Sequence, residues 1–579
     1  YVHDKDFSSW KNNICIAADD GDEAIHAEQA DRGSDTLLLK NTSQPRLGFR
    51  VNKIYIDSYY MDPQTKKYPE ANRELMKQFN EGMLVFNYIG HNDPEVGFTG
   101  EGLFSRYEMD HLTNTRLPLF ITITCDYCQF DAEDVSAGEN VFLNPSAGAI
   151  ALITTTRVVY TDGNDKINQR LMKRLLERDS NGSPLRIGDV LKLAKQDFNT
   201  EIDKNKLNYV LIGDPALKLA YPEHSIQVTR INGNSGEKNI EMIPGKNYTV
   251  EGEIRSHQNE LLSDFNGYIY YNLYDKEKQF TTLAHQDKKT WTYTHRPDLL
   301  TTGKGKIQNG TFRITVTLPI DNSHSGKSGL LNLYAYDESG REANGYTDKL
   351  IVSTAVEPIT EDIQGPDIKF AGINDDSFTE GILVNNPATF VCKFSDPSGI
   401  WNGNSLGKQM TLSLDGACIE ENVARYYKPI AESEIPEGEF IYPLPRLSNG
   451  LHTLTFKVFD TLGNSSEVTI AFEVKENSET YTISLEEEPA TERATISCQD
   501  QNGNDVTESK HTRISVTNTL GEEIWSYETT ENNPFPLTWN LQDNNGKRVS
   551  AGQYYCKGYF ETSAGTIVTP AKKIVVITQ

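Results

Sequence analysis

Seven cysteines in 579 residues are too few, and odd in number, for a disulfide framework. No apolar run approaches the ~18 residues that cross a bilayer as a helix. Basic side chains are in deficit: 56 Lys and Arg face 82 Asp and Glu, a formal net charge of −26. Phosphate backbones are bound through clustered Lys and Arg, so nucleic acid is excluded as a partner. No Walker loop, Rossmann glycine fingerprint, GxSxG elbow or HExxH pair occurs. What is present suffices for several cores. The chain is 37% hydrophobic and 10% aromatic, which rules out wholesale disorder. Its length implies about three to five domains of roughly 100–200 residues each. The acidity is read first as an aid to solubility.

The sequence changes character near residue 222. Before it, apolar strands alternate with helical patterns. Strands are expected at Asn13–Ala17, Met83–Ile89, Leu117–Thr124 and Gly148–Thr155. Helices are expected at Ala71–Glu81, Ser105–Leu112, Ile167–Glu177 and Ile187–Phe198. Continuous apolar strands between helices predict an α/β domain over residues 1–222, with both sheet faces covered. Beyond it the helical period stops. Short strands separated by Gly, Asn, Asp and Pro predict antiparallel β-sandwiches over 223–356, 363–475 and 480–579. An acidic, Pro-containing linker (354–367) and a polar joint (475–480) separate them. The chain starts at Tyr1 with no signal peptide, so a mature form or a fragment is expected.

Chemistry concentrates at two strand ends. His91 follows a strand directly in the run NYIGH, and Cys125 follows another in ITITC. Ligands bind at that edge of open α/β sheets. One helix lies between the strands, so a right-handed crossover makes them close neighbours. A thiol beside an imidazole is what a cysteine nucleophile needs, because the imidazole takes the thiol proton or pairs with the thiolate. Other readings stay open. Cys125 and Cys128 form a CxxC, which admits a redox pair, although no second ligand pair accompanies it for zinc. Cys128 reads better as a bystander. The acidic run Asp19–Glu23 is a solvated loop, a third catalytic group, a pocket for a basic substrate residue or a cation ligand. The DNNG run at 543–546 is a hairpin turn, since no Glu follows at the calcium-loop spacing.

NYIGH followed by TCDYCQFD, with SAGE at 136–139, LNPSAGAIALITTTR at 143–157 and VLIGDPALKL at 210–219, resembles the gingipain family of cysteine peptidases. Within it, the likeness is greatest to the branch that serves type IX secretion in Bacteroidota. The resemblance implies a caspase-like α/β peptidase domain followed by three Ig-like β-sandwiches. It makes Cys125 the nucleophile and His91 the general base. The N–H groups of Cys125 and Asn92 would form the oxyanion hole. Relatives usually have Gly after the histidine, so Asn92 is a departure, and it is expected in the left-handed region that Asn tolerates. Asp20 would orient His91, and Glu23 would lie near the pocket for a basic residue. The resemblance implies no required cofactor and no catalytic metal, and leaves room for a structural calcium ion. Its expected substrates are secreted proteins with a C-terminal signal domain. Its expected partners are the outer-membrane barrel PorV, with PorQ and PorZ, and anionic lipopolysaccharide as acceptor. The expected location is the bacterial cell surface, peripheral to the outer membrane. Lys572–Gln579 closes a signal-like β unit that such an enzyme retains, and a larger N-terminal region of the family is missing. A secreted protease that is itself cargo, or a catalytically dead adhesin, are the competing expectations.

Overall fold

The computed structural model describes residues 6–40, 42, 46–93, 97–98, 102–198, 204–286, 288–320, 326–354, 362–374, 378, 383–384, 386–403, 407–420, 422–430, 435–474, 481–486, 489–500, 506, 509–518, 523–530, 534–562, 565–569 and 571–577. Most of the linker (355–361) and the joint at 475–480 lie outside the described residues. The chain forms two compact units. One holds residues 1–371, 392–441 and 455–468, and the other holds 372–391, 442–454 and 469–579.

The first unit opens with the expected α/β layer structure. Its strands are β1 (Asn13–Ala18), β2 (Arg50–Tyr55), β3 (Val85–Ile89), a three-stranded flap of β4 (Asn92–Asp93), β5 (Gly97–Phe98) and β6 (Phe104–Ser105), then β7 (Leu119–Ile123), β8 (Ala151–Thr155) and β9 (Tyr209–Ile212). The helices are α1 (Ile25–Leu38), α2 (Pro69–Glu81), α3 (Arg106–Asp110), α4 (Ala137–Phe142), α5 (Thr161–Leu175), α6 (Ile187–Gln196) and α7 (Asn205–Asn208). The main sheet has the order β2-β1-β3-β7-β8-β9. All its pairings are parallel except β8 with the edge strand β9. The predicted crossover therefore does make β3 and β7 neighbours.

Two helices start on clear local signals. α2 starts on Pro69, whose fixed φ suits a first turn, and turns Ala71, Leu75 and Phe79 inward. α4 starts on a capping box in which Ser136 and Glu139 satisfy each other's backbone N–H. α1 was not foreseen. Its N-cap, Ala24, has no side-chain cap bond, and Asp and Gln break up its apolar stripe. Two apolar clusters cover the two sheet faces. Ala27, Leu37, Leu171, Met172 and Val190 lie in one, and Leu75, Phe79, Phe104, Phe120 and Val141 in the other.

A β unit follows in the same compact unit. Its main sheet has eight strands, and pairing runs round its edge. His224–Ile231 pairs antiparallel with Asn247–Arg255 on one side and parallel with Glu342–Thr347 on the other. A hairpin of Lys278–Thr281 and Thr292–His295 reaches from it to the α/β layers. There, Asp57 accepts the N–H groups of Ala284 (2.7 Å) and His285 (2.9 Å). In the second unit, Ala494–Gln499, His511–Asn518 and Gly552–Thr562 are core strands, and Trp539 packs edge-on to Tyr554. All seven cysteines are free thiols.

Phe86 is fully buried and its ring lies 5.0–6.5 Å from the rings of Phe79, Phe98, Phe104 and Phe120. Phe86→Ala is expected to cost about 3–5 kcal/mol. Calorimetry of the full chain should show a lowered transition for the α/β part, with the transition of the second unit in place.

Candidate active site

The site is built on one register. Ile89 of β3 pairs with Ile123 of β7, and His91 and Cys125 each follow two residues on. Parallel strands lie about 4.8 Å apart, so both side chains leave one sheet edge side by side. The ladder continues past the strands, because the Gly90 N–H bonds Ile123 O at 3.3 Å. Gly90 is required by space. A Cβ there would lie 2.5 Å from the Asp19 carboxylate and 2.6 Å from the Tyr88 hydroxyl.

His91 is fixed through its backbone. Its N–H donates to Asp19 Oδ2 at 2.6 Å, and its carbonyl accepts the Tyr88 hydroxyl at 2.8 Å. The ring is about half exposed, with Nε2 3.4 Å from Asp22 Oδ2. Cys125 is half-buried. Its Sγ donates to the Val159 carbonyl at 3.4 Å and lies 3.5 Å from the Val159 N–H. No hydrogen bond joins the thiol to the imidazole here. Such bonds are often long before substrate arrives and tighten with it. Asp126, next in the chain, is left-handed at φ 48°, so the backbone turns sharply away behind the nucleophile.

Two expectations need correcting. Asp20 does not orient His91. It is buried, accepts the Tyr68 hydroxyl and holds Gln286 Nε2 at 3.2 Å. Successive residues at a strand end point to opposite faces, so Asp19 turns to the histidine and Asp20 away from it. Asn92 is not left-handed. It lies extended in β4, paired with Phe98, and its Nδ2 donates to the Cys125 carbonyl at 3.0 Å. Position 92 thus needs no glycine, and Asn92 ties the histidine loop to the nucleophile. Glu23, expected near a pocket for a basic residue, is exposed on the turn that follows.

That turn was missed by sequence reasoning. Asp22, Glu23 and Ala24 are all left-handed, with φ of 57°, 56° and 62°. Each costs about 1–2 kcal/mol against the right-handed form. Strain of this kind collects at functional sites. The turn brings Asp22 to His91 and to His26, whose Nε2 lies 3.7 Å away. His26 itself is buried, its Nδ1 bonds Asp19 Oδ1, and its ring meets His91 edge-on with centroids 5.0 Å apart. Burial opposes charge on His26, but Asp19, with Asp22 and Asp20, outweighs it and raises its affinity for a proton. Burial likewise opposes ionisation of Asp19, and the two histidines outweigh it and hold the carboxyl below its usual range.

Cys128 is a poor second thiol. It is buried beneath α4, and burial pushes it up to about 11. It presents little thiolate at neutral pH, which weakens the dithiol reading. Three buried polar atoms near the nucleophile lack hydrogen-bond partners: Asn92 Oδ1, Thr124 Oγ1 and the Tyr127 hydroxyl. Among the described residues, two side-chain groups could gather round a cation. One is Asp19, His26 and His91, and the other, in the later β region, is Asp362, Asp396 and Asp460. In the second, burial first, then the neighbouring carboxylates, push Asp460 up to about 6 against its hydrogen bonds.

Residues 1–220 match the model of peptidase family C25. Among solved structures, one similar chain is dimeric latent PorU from Porphyromonas gingivalis. Identity is 18% over 98% of this chain and 64% of that one, with a TM-score of 0.32. A complex of RgpB pro- and mature domains from the same organism is similar at 16% identity. It covers 60% of this chain and 71% of that one, with a TM-score of 0.30. Titin domains A168–A170 are similar at 9% identity over 61% of this chain and 99% of that one, with a TM-score of 0.16. This chain therefore spans less than two-thirds of the PorU chain. No curated protein matches it.

The linkage of His26 has a definite sign. Its proton affinity is raised, so its contribution is fully present below its ordinary pKa of 6.5 and is lost as pH rises through the folded value. Asp19 is lowered from 3.8, so its contribution is present above that value and lost in acid. His26→Gln is expected to lower the melting temperature most between these values, near pH 5, and less at pH 9. Equal shifts at both pH values would show that His26 is not charged in the fold.

Proposed function

We propose, from a first domain that is a gingipain-like peptidase of family C25, that this chain is a cysteine endopeptidase acting as the sortase of type IX secretion, as in PorU. The observation that carries the peptidase reading is the placement of Cys125 and His91 two residues beyond one in-register pair. The sortase reading rests on the motif strings of residues 124–157 and on the β units that follow the peptidase domain.

The chemistry follows from the placement. His91 Nε2 takes the Cys125 proton, and the thiolate attacks the scissile carbonyl carbon. The oxyanion that forms is met by backbone N–H groups at the two strand ends, those of Cys125 and Asn92. The C–N bond breaks, and the imidazolium gives its proton to the departing amine. A thioester remains on Cys125, and the cargo's C-terminal signal domain leaves. An acceptor amine then attacks the thioester carbonyl and loses its proton to His91. An amide forms and the thiolate is released. Water in place of the amine gives hydrolysis. Asp22, 3.4 Å from His91 Nε2, steadies the imidazolium in both halves.

The acceptor in this reading is anionic lipopolysaccharide at the cell surface, with PorV as the membrane tether and PorQ and PorZ as further partners. No helix among the described residues is long and apolar enough to cross a membrane. A net charge of −26 repels an anionic acceptor. The acceptor is therefore recognised locally or delivered by a partner. Isolated lipopolysaccharide is expected not to bind this chain alone at low salt.

Cys125→Ala is expected to cut cargo processing by about 10³-fold or more, as removal of a nucleophile does. Cys128→Ala should stay within a few-fold of the parent. Intact mass of cargo from cells carrying each variant reads this directly. Cargo shorn of its signal domain in the Cys125→Ala strain would end the proposal. Equal loss in both variants would favour a dithiol mechanism instead.

A further inference from the structure

A cavity of about 520 Å³ lies between α1, the start of β2 and the β unit that follows the α/β layers. Its size is that of a small-molecule site, ~300–1,000 Å³. It lies away from the candidate active site. Arg50 opens β2 opposite Asn13, the first residue of β1, whereas His91 and Cys125 follow the other ends of parallel strands. The charges on its walls do not all find partners. Lys40 lies 3.3 Å from both Asp35 and Glu277, and Lys53 is held by Asp31 and, at 2.9 Å, by the Thr294 carbonyl. Asp348 has Lys349 at 3.0 Å. Two guanidiniums are left over. Arg50 lies over the Tyr274 ring at 4.7 Å, its Nε lacks a hydrogen-bond partner, and no carboxylate pairs with it among the described residues. Arg296 donates to the carbonyls of Asp275 (2.6 Å) and Ser328 (3.2 Å) and likewise has no carboxylate partner there. The two arginines thus meet on consecutive residues, Tyr274 and Asp275. Burial lowers the proton affinity of Arg296, and Glu277, Asp275 and Asp348 restore only part of it. His295, on the same wall, is pushed down to about 3 by burial and then by Arg50, Lys53 and Lys40. Ser34 of α1 is fully buried on the opposite wall, and its hydroxyl also lacks a hydrogen-bond partner.

We infer that this cavity binds a small phosphate monoester, its phosphate shared by Arg50 and Arg296 and its organic part set against Leu38, Phe49 and Leu330. A cation drawn from water without a counter-ion and a buried hydroxyl without a partner are both costly, and an anion in the cavity relieves both. The guanidinium fork matches phosphate oxygens in pairs. A dianion answers two unpaired guanidiniums, and the Ser34 hydroxyl is free to donate to a further oxygen. The apolar side chains of the remaining wall favour an ester with an apolar body over bare phosphate. Such a ligand touches α1 and β2 on one side and the β unit on the other, so it fastens the two together. The inference does not rest on the peptidase reading.

The test is titration calorimetry of the full chain with phenyl phosphate, inorganic phosphate, phenol and phthalate. Phenyl phosphate is expected to bind at one equivalent and more tightly than inorganic phosphate, and phenol is expected not to bind. Arg50→Gln and Arg296→Gln should each weaken phenyl phosphate by about tenfold or more, the cost of one charge-assisted hydrogen bond. Ser34→Ala keeps a good helix former in α1 and should weaken it several-fold, so the site stays testable even where an arginine variant melts early. Arg313→Gln, at a side chain 73% exposed elsewhere on the β unit, should leave the affinity unchanged. Affinity undiminished in the Arg50, Arg296 and Ser34 variants would overturn the site. So would an equal loss in Arg313→Gln, which would mark general attraction to a basic surface, or the absence of binding by either phosphate. Phthalate bound in preference to phenyl phosphate would overturn the phosphate assignment and make the ligand a dicarboxylate.

Discussion

One buried carboxylate organises the site. Asp19 continues β1, its own N–H bonding Ile89 O at 3.2 Å, and its side chain then serves three groups. Oδ2 takes the His91 N–H at 2.6 Å, and Oδ1 takes His26 and, at 3.3 Å, the Gly21 N–H. A carboxylate this deep is stable only if it is paired and fully hydrogen-bonded. Here each bond that satisfies it also fixes a functional element: the histidine backbone, the second histidine and the start of the acidic turn. Removing one partner of such a buried pair typically costs about 3–5 kcal/mol. Asp19 is thus a positioning group, touching the backbone of the base and not its reacting nitrogen.

Cys125 is braced differently, by aromatic stacking. Tyr88 of β3 stacks on Phe98 of the flap at 3.7 Å, and Phe98 stacks on Tyr127 at 5.0 Å. The Tyr88 hydroxyl then returns to the His91 carbonyl. Behind Cys125, the Cys128 N–H holds Thr155 O at 3.0 Å, and the Gly138 N–H holds Tyr127 O at 2.7 Å. Rigid elements therefore carry both Cys125 and His91, as the proposed catalysis requires. Only the side-chain torsions of Cys125 and His91 remain to be set by substrate.

The strands of the α/β layers were legible because they are buried on both faces and so read as unbroken apolar runs. The ends of β3 and β7 were legible with them, and so was the placement of His91 and Cys125 side by side at one sheet edge. What failed was anything that depends on direction within a loop. Asp19 and Asp20 are equivalent in composition, and only the pleat separates the one facing His91 from the one facing Tyr68. α1 was illegible because its start carries no capping side chain and follows three left-handed residues that sequence gives no means of expecting. β2 and β9 escaped as short edge strands of mixed polarity. The flap was hidden because its strands are two residues each.

The second anchor of the acidic loop comes from outside the α/β layers. Gln286, on the hairpin loop of the neighbouring β unit, donates to Asp20 at 3.2 Å. That hairpin loop is itself seated, since Asp57 takes the N–H groups of Ala284 and His285 and the His285 ring. Trp291 Nε1 reaches Asp31 of α1 at 3.3 Å, and Lys289 lies 3.7 Å from Glu28 of the same helix. The strained turn at Asp22–Ala24 therefore runs from an inner anchor at Asp19 to α1, with Asp20 held from the β unit on the way. Three left-handed residues together cost about 3–6 kcal/mol, a sum similar to what one buried ion pair loses when broken. The β unit thus bears on the chemistry without touching it: it helps to keep Asp22 where His91 can use it.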